Sequence, residues 1–139
     1  MDFVSTRVIT DDINRLVGFY EKVMGVSAVW GSEDFAELGT AHGTLAIGSA
    51  RTVALFAPGS ARPADNHTAI IEFLVDDVDA LYEDLKEVVE DFVNVPTTMP
   101  WGNRALLFRD PDGNMVNFFT PGHAQRDPKV QPIPSRLSP

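Results

Sequence analysis

One pattern of apolar and polar positions occurs twice along the chain. In residues 5–24, a β-rich run leads to a pair of aspartates and then to apolar residues at helical spacing, and the same order recurs in residues 70–89. The matching helical positions are Ile13, Leu16, Val17, Tyr20, Val23 and Met24 in the first copy, and Val78, Leu81, Tyr82, Leu85, Val88 and Val89 in the second. A repeated strand–helix unit predicts a pseudo-symmetric protein and favours a ligand site where the copies meet.

The helix of the first copy carries residues typical of both helix ends. Asp11 and Asp12 offer side-chain oxygens to the free N–H groups of the first turn, and Gly25 suits the left-handed residue that ends many helices. The pattern therefore predicts a helix over residues 13–24. In the second copy, the same spacing predicts a helix over residues 78–90.

Short runs rich in β-branched and aromatic residues predict the strands, and the Gly, Ser, Asp and Pro residues between them mark where each strand ends. The predicted strands are 3–10, 26–30, 35–39, 44–48 and 52–56 in the first copy, and 68–75, 92–95, 104–109 and 114–120 in the second. The segment Asp110-Pro111-Asp112-Gly113 predicts a hairpin turn before the last strand. We interpret each copy as a βαβββ module.

The predicted elements form a single α+β domain over residues 1–121. Module one covers residues 3–57, a Pro- and Gly-containing linker covers 58–66, and module two covers 67–121. Residues 122–139 are rich in proline and lack periodicity, so that this tail is either disordered or an arm that orders on a partner subunit.

Composition narrows the class of protein. The 139 residues include 20 acidic and 11 basic side chains, and a net charge of -9 disfavours binding to nucleic acid or to an anionic membrane. The chain has no cysteine, which excludes disulfides and cysteine metal sites. It shows no secretory leader and no apolar run of the roughly 20 residues that a membrane helix needs. We expect a soluble, cytoplasmic protein.

Several motifs together resemble one known family. They are Thr10-Asp11-Asp12-Ile13, Gly18-Phe19-Tyr20-Glu21, Met24-Gly25, Val75-Asp76-Asp77-Val78, Pro100-Trp101-Gly102-Asn103-Arg104 and Phe108-Arg109-Asp110-Pro111-Asp112-Gly113-Asn114. In this order on a βαβββ repeat, they resemble the glyoxalase/bleomycin-resistance/extradiol-dioxygenase superfamily, also called the vicinal oxygen chelate fold, over residues 3–121. The resemblance implies that two βαβββ modules form a cupped mixed sheet with a ligand inside, and that the protein is a homodimer.

The resemblance also implies where a metal would be bound, because enzymes of this superfamily usually hold one divalent ion with His, Glu or Gln on the first and last strands of each module. The matching positions here hold Ser5, Ala46 (Ala54 if the hairpins are offset), Ile70 and Asn117. None is a histidine or a carboxylate, although a catalytic site needs about three protein donors. His42, His67 and His123 fall in predicted loops or the tail. We therefore predict no metal and no cofactor.

The alternation of side chains along a strand predicts what lines the cup instead. If the side chain of Ser5 points into the cup, that of Arg7 also points inward, because it is two residues further along the same strand. By the same alternation, Glu72 shares the face of Ile70, and Phe119 shares the face of Asn117. Arg7 and Glu72 occupy equivalent positions in the two modules, so they either contact a ligand or pair with each other.

Aromatic residues complete the candidate site. Trp101 lies in a Pro-Trp-Gly loop similar to one in bleomycin-resistance proteins, which hold a planar drug with aromatic rings, and Trp30, Phe35 and Glu37 lie on module-one strands. Ordinary packing of these side chains is the alternative. The candidate ligand-binding residues are Arg7, Trp30, Phe35, Glu37, Glu72, Trp101, Asn117 and Phe119.

Three functions stay open at this point. The first is a metal-free protein that binds an aromatic or cationic small molecule, which absent metal ligands, two tryptophans and the acidic balance favour. The second is a metal-dependent lyase, isomerase or dioxygenase, which the family alone supports. The third is a metal-free enzyme with Glu72 or Glu37 as general base and Arg7 as electrostatic partner. The sequence assigns no catalytic residue and no substrate.

Overall fold

The fold consists of two β-sheets, each with one helix packed against it. A computed structural model describes residues 1–122. The rest of the predicted tail, residues 123–139 with His123, lies outside the described residues. The elements are β1 (Ser5–Thr10), α1 (Ile13–Met24), β2 (Val29–Ser32), β3 (Phe35–Gly39), β4 (Thr44–Ser49), α2 (Ala50–Val53), β5 (Ile70–Leu74), α3 (Val78–Leu85), β6 (Asp91–Phe92), β7 (Thr97–Thr98), β8 (Arg104–Arg109) and β9 (Met115–Thr120).

The two sheets share one topology, which confirms the predicted α+β fold and its repeat. The first sheet has the order β1-β4-β3-β2, and the second has β5-β9-β8-β6, with β7 also paired to β8. In each sheet the first strand runs parallel to the last strand of its module, and that last strand is antiparallel to the one before it. The register pairs Arg7 with Ala46 and Glu72 with Asn117, which places the repeated positions at corresponding points of the two sheets.

The ends of α1 form as predicted. The side chain of Asp12 accepts a hydrogen bond from the Arg15 backbone N–H, and Gly25 has a positive φ of 68° and donates its N–H to the Glu21 carbonyl. Asp77 caps α3 in the same way, accepting from the Ala80 backbone N–H. These caps satisfy backbone groups that have no partner within the helix.

The predicted strand over residues 52–56 is wrong, because the chain turns into the short helix α2 directly after β4. The Thr52 hydroxyl donates to the Ser49 carbonyl, and Asp34 accepts hydrogen bonds of 2.8 Å from both the Ser49 hydroxyl and the Arg51 Nε. These two donors hold the pKa of Asp34 below its usual range, with Arg51 contributing most. The bonds fix a turn where the sequence shows an apolar run, and module one keeps three strands after its helix.

The second module differs from prediction mainly at element ends. The helix stops at Leu85 rather than at residue 90, because the backbone N–H groups of Val88 and Val89 both bond to the Leu85 carbonyl and form a turn. The strand predicted over 92–95 shrinks to β6, and β7 was not predicted. The first strands of both modules begin two residues later than the patterns indicate.

The hydrophobic core lies between the helices and one face of each sheet. It is continuous through both modules, and aromatic contacts cross it: the Phe108 ring lies 5.1 Å from that of Phe118, 6.2 Å from Phe92 and 6.3 Å from Phe19 on α1. The opposite faces of the sheets are left open. Burial of this apolar surface is the main force that holds the modules together.

A buried polar cluster joins α1 to the β8–β9 turn. The Tyr20 hydroxyl donates to Asp110 Oδ2 at 2.6 Å, and Asp110 also accepts from the Asn114 side chain and from the backbone N–H groups of Asp112 and Asn114. At the edge of this cluster, Arg15 Nη2 lies 2.9 Å from Asp112 Oδ1. Burial, together with the Asp110 carboxylate, raises the pKa of Tyr20 far above its usual range. The tyrosine is therefore a permanent donor to a buried carboxylate.

Replacing Tyr20 with Phe should destabilise the protein by about 1.5–3 kcal/mol, because a buried carboxylate loses a charge-assisted hydrogen bond. Urea unfolding at neutral pH measures the change. The matched control is Tyr82→Phe, since the Tyr82 hydroxyl makes no hydrogen bond within residues 1–122 and its ring packs on Phe92. Equal effects of the two substitutions would contradict the role of the Tyr20 hydroxyl.

The free energy of unfolding should also depend on Tyr20 at alkaline pH. Above about pH 10 the unfolded chain releases the tyrosine proton while the folded protein keeps it, so stability falls as pH rises. The Tyr20→Phe variant lacks this pH-dependent contribution. Tyr82 is present in both the wild type and the variant, so its ionisation does not affect the difference in stability between them. The stability difference between the two proteins should therefore shrink by about 1.4 kcal/mol between pH 9 and pH 11. A constant difference over this range would show that Tyr20 ionises normally in the folded protein.

Candidate functional site

Each sheet has an open face, the side turned away from its helix. On the first sheet the register brings Arg7, Ala46 and Glu37 into one row across β1, β4 and β3. Phe35 lies in the next row, opposite Gly48. Residues paired across neighbouring strands share a face, so these five residues line the open face of the first sheet.

Arg7 lies over an aromatic ring on this face. Its guanidinium carbon is 5.4 Å from the centre of the Phe35 ring, which is cation–π distance. Gly48 lies on the same face, where a Cβ atom would meet the Thr52 hydroxyl closely, at 3.0 Å, and would touch Ile9 and the Arg7 stem at ordinary contact distances of 3.5 and 3.6 Å. Sequence reasoning missed Gly48, whose signal was a glycine inside an otherwise apolar strand.

The open face of the second sheet combines a carboxylate with apolar side chains. Asn117 Nδ2 lies 3.4 Å from Glu72 Oε2, and the two residues are paired across β5 and β9. The Asn117 Oδ1 atom is buried and has no hydrogen-bond partner among the described residues. Phe119 is half-buried beside them, while Ile70 and Leu74 on β5 are 46% and 38% exposed.

The alternative that Arg7 and Glu72 pair with each other is wrong. They lie on different sheets and form no salt bridge, since Arg7 stacks on Phe35 and Glu72 accepts from Asn117. Neither charge takes part in a salt bridge within residues 1–122. Both groups remain exposed and available to a ligand or a partner.

The two tryptophans do not join the other candidate residues. Trp30 is paired with Ala36, whose side chain is buried on the helix side, so Trp30 lies on the opposite face of the sheet from Glu37. Trp101 is 58% exposed at the tip of the turn between β7 and β8, where the Met99 N–H donates to the Asn103 carbonyl and the Gly102 N–H donates to the Met99 carbonyl. The structure thus brings together Arg7, Phe35 and Glu37 on one sheet and Glu72, Asn117 and Phe119 on the other.

The four positions that the family resemblance matches to metal ligands do not suit a metal ion. Ala54 follows α2 and lies on no strand, which leaves Ala46 as the position on β4. Ala46 and Ile70 have no donor atom, and Ser5 and Asn117 are weak neutral ligands. Within residues 1–122, no three His, Asp or Glu side chains lie close enough together to hold a metal ion. The absence of a metal stays a prediction, and no chemical step is assigned to one.

Of the helices within residues 1–122, none has both the length and the apolar character that crossing a bilayer requires.

Known proteins match the chain over most of its length. The Glyoxalase/Bleomycin resistance protein/Dioxygenase superfamily model matches residues 2–118. Two uncharacterised Bacillus subtilis proteins are similar in sequence: YraH is 25% identical over 125 residues, with 86% of this chain and 98% of YraH covered, and YwbC is 28% identical over 121 residues, covering 82% and 93%.

Solved structures share the fold. A glyoxalase/bleomycin resistance protein/dioxygenase from Nocardioides superposes with a TM-score of 0.76 at 20% identity, covering 94% of this chain and 90% of that protein. A family enzyme from Burkholderia phytofirmans PsJN gives the same TM-score and identity, covering 86% and 98%. With the repeated βαβββ topology, these matches place the chain in a known group: it belongs to the glyoxalase/bleomycin resistance protein/dioxygenase superfamily.

Proposed function

We propose that the protein is a metal-free binding protein that holds an aromatic or cationic small molecule against the open faces of its two sheets. The observation that carries this proposal is the content of those faces. Carboxylates stand there beside aromatic and aliphatic side chains. Such a surface can bind a ligand through aromatic stacking and charge pairing. It provides no set of side chains that would bind a metal ion strongly.

The charges on the open faces favour a cation over an anion. On the second sheet the register also places Arg109 and Asp91 on the face of Asn117, and these two opposite charges lie 3.9 Å apart. Glu37 and Glu72 supply two further negative charges against the positive charge of Arg7, which already lies over Phe35. A planar ring can stack on the exposed surface of the Arg7–Phe35 pair, while a positively charged group pairs with Glu72.

Exposed apolar side chains support a homodimer as the binding unit. They include Phe3 and Val4 before β1, and Ile70 and Leu74 on β5, with exposed fractions between 38% and 89%. The strands β1 and β5 are also at the edges of their sheets. Contiguous apolar surface and free strand edges are features that a second copy commonly covers. We expect this dimer to act in the cytoplasm as a carrier or a sequestering protein.

Enzymatic alternatives have weaker support. A metal-free reaction would need a general base with an electrostatic partner facing the same reacting atoms. Glu72 and Arg7 lie on different sheets without an ion pair, and each already contacts a neighbour of its own. Glu37 shares a row with Arg7, but their backbones are two strands apart, which is about 9.5 Å. Binding needs no such convergence.

Planar cationic compounds, with ethidium as the first probe, should raise the midpoint of thermal unfolding. A ligand at one hundred times its Kd stabilises by about 2.7 kcal/mol. Glu72→Gln should weaken binding about tenfold through loss of a charge partner, whereas Glu33→Gln, at an exposed turn outside the open faces, should leave it unchanged. Fluorescein, a planar anion, tests whether the ligand has to be positively charged, and it should not raise the midpoint of thermal unfolding. No stabilisation by any planar cation, or equal loss in both variants, would contradict the proposal.

Native mass spectrometry of untagged protein should show a dimer without a bound divalent metal. Ile70→Lys places a charge in the exposed apolar surface of β5 and should shift the mass to the monomer, while Ala41→Lys, in the exposed turn after β3, should not. An added mass of one metal per chain would overturn the metal-free assignment. A wild-type monomer at micromolar concentration would overturn the dimer.

A further inference from the structure

A cavity lies between α1 of module one and the end of the second sheet formed by β6 and the β8–β9 turn. One wall is α1; the other is formed by residues 87–91, which follow α3, and by residues 109–113 at the β8–β9 turn. This junction groove encloses about 700 Å³, and none of the candidate residues of the open faces lines it. Ligand pockets commonly fall in the range of about 300–1,000 Å³.

The walls of the junction groove carry opposite charges. Arg15 and Lys22 lie on the α1 wall, whereas the facing wall has four carboxylates, Glu87, Glu90, Asp91 and Asp110, and one cation, Arg109. A ligand that spans the groove therefore meets cations at one side and carboxylates at the other. A singly charged ligand would be attracted by one wall and repelled by the other.

Salt bridges within the protein use only part of these charges. Arg15 is 2.9 Å from Asp112, and Asp91 is 3.9 Å from Arg109. The remaining cation of the α1 wall and the two glutamates of the facing wall form no salt bridge within residues 1–122. They are left free to pair with opposite charges on a bound molecule.

A glycine inside α1 keeps the junction groove open. Gly18 lines the groove in the middle of the helix, and a Cβ atom built there would have no neighbour within 4 Å. Glycine in a helix interior costs about 1 kcal/mol of stability relative to alanine. Because a larger side chain would meet no neighbour here, core packing does not explain why position 18 is a glycine. The space that a side chain would occupy belongs to the groove, which makes the glycine consistent with a site rather than with the core.

We infer that the junction groove is a second binding site, for a small amphoteric molecule that carries an ammonium group at one end and a carboxylate at the other. The carboxylate pairs with Lys22 on α1, and the ammonium group pairs with Glu87 and Glu90. The molecule passes over Gly18, where no side chain interferes. Because the walls come from different modules, its binding also strengthens the module junction.

The experiment titrates the ¹⁵N-labelled full chain with trialanine, whose free ends are about 10 Å apart when extended. We expect chemical-shift changes at the amides of groove residues such as Gly18, Lys22 and Val88. The same peptide with an acetylated amino end and an amidated carboxyl end should bind at least tenfold more weakly. No shift at groove amides, or equal binding of the blocked peptide, would overturn the inference.

Variants separate the groove from the open faces. Gly18→Gln fills the groove with a helix-favouring side chain, so it should weaken trialanine binding at least tenfold without lowering the midpoint of thermal unfolding. The matched control is Asp84→Gln, an exposed position on α3 outside the groove, which should bind as the wild type. Glu72→Gln should also leave trialanine binding unchanged. Unchanged binding in Gly18→Gln would refute the site.

Discussion

The hydrogen bond between Tyr20 and Asp110 is the interaction on which the relative placement of the two modules depends. The partners are 90 positions apart in the sequence, and the bond lies in the interior at 2.6 Å. A buried carboxylate is costly unless its oxygens are satisfied, so Asp110 needs every one of its four donors. Three of these donors come from its own turn, and the fourth has to be delivered by α1. This requirement fixes the helix against the β8–β9 turn, and with it both the open faces and the junction groove.

The repeat preserves backbone geometry while the chemistry of the two copies differs. Both modules cap their helix with an aspartate and pair their first and last strands in parallel. At corresponding positions, however, one sheet presents Arg7 beside Ala46 and the other presents Glu72 beside Asn117. The open faces are therefore pseudo-symmetric in shape and opposite in charge at this point, which gives a bound molecule a defined orientation.

Local signals in the sequence were sufficient for the parts of the fold that local interactions determine. Asp12 and Gly25 mark the ends of α1 because capping involves only neighbouring residues. The run over residues 52–56 was misread because apolar residues usually indicate burial, whereas Leu55 and Phe56 are 86% and 63% exposed. The turn there depends on Asp34, which is distant in sequence and invisible to a local pattern.

The candidate site was predictable as far as strand alternation extends. Arg7, Glu72 and Asn117 follow from a period of two, and the structure places them on the open faces. The position of Trp30 could not be predicted in this way, because the register shifts between Trp30 and Ser32. A shift of one residue moves a side chain to the other face of the sheet. The charges of the junction groove come from segments far apart in the chain, so that no single window of sequence displays them together.

The strand order has a consequence for how the protein is made. The first sheet needs no residue beyond Ser49, so it can form while the rest of the chain is still being synthesised. The second sheet has β9 in its interior, and β5 has no strand to pair with until Thr120 has emerged. At that stage the Tyr20 hydroxyl is still without its carboxylate and the shared core is incomplete, so the last strands to appear complete the second sheet, the core and the junction.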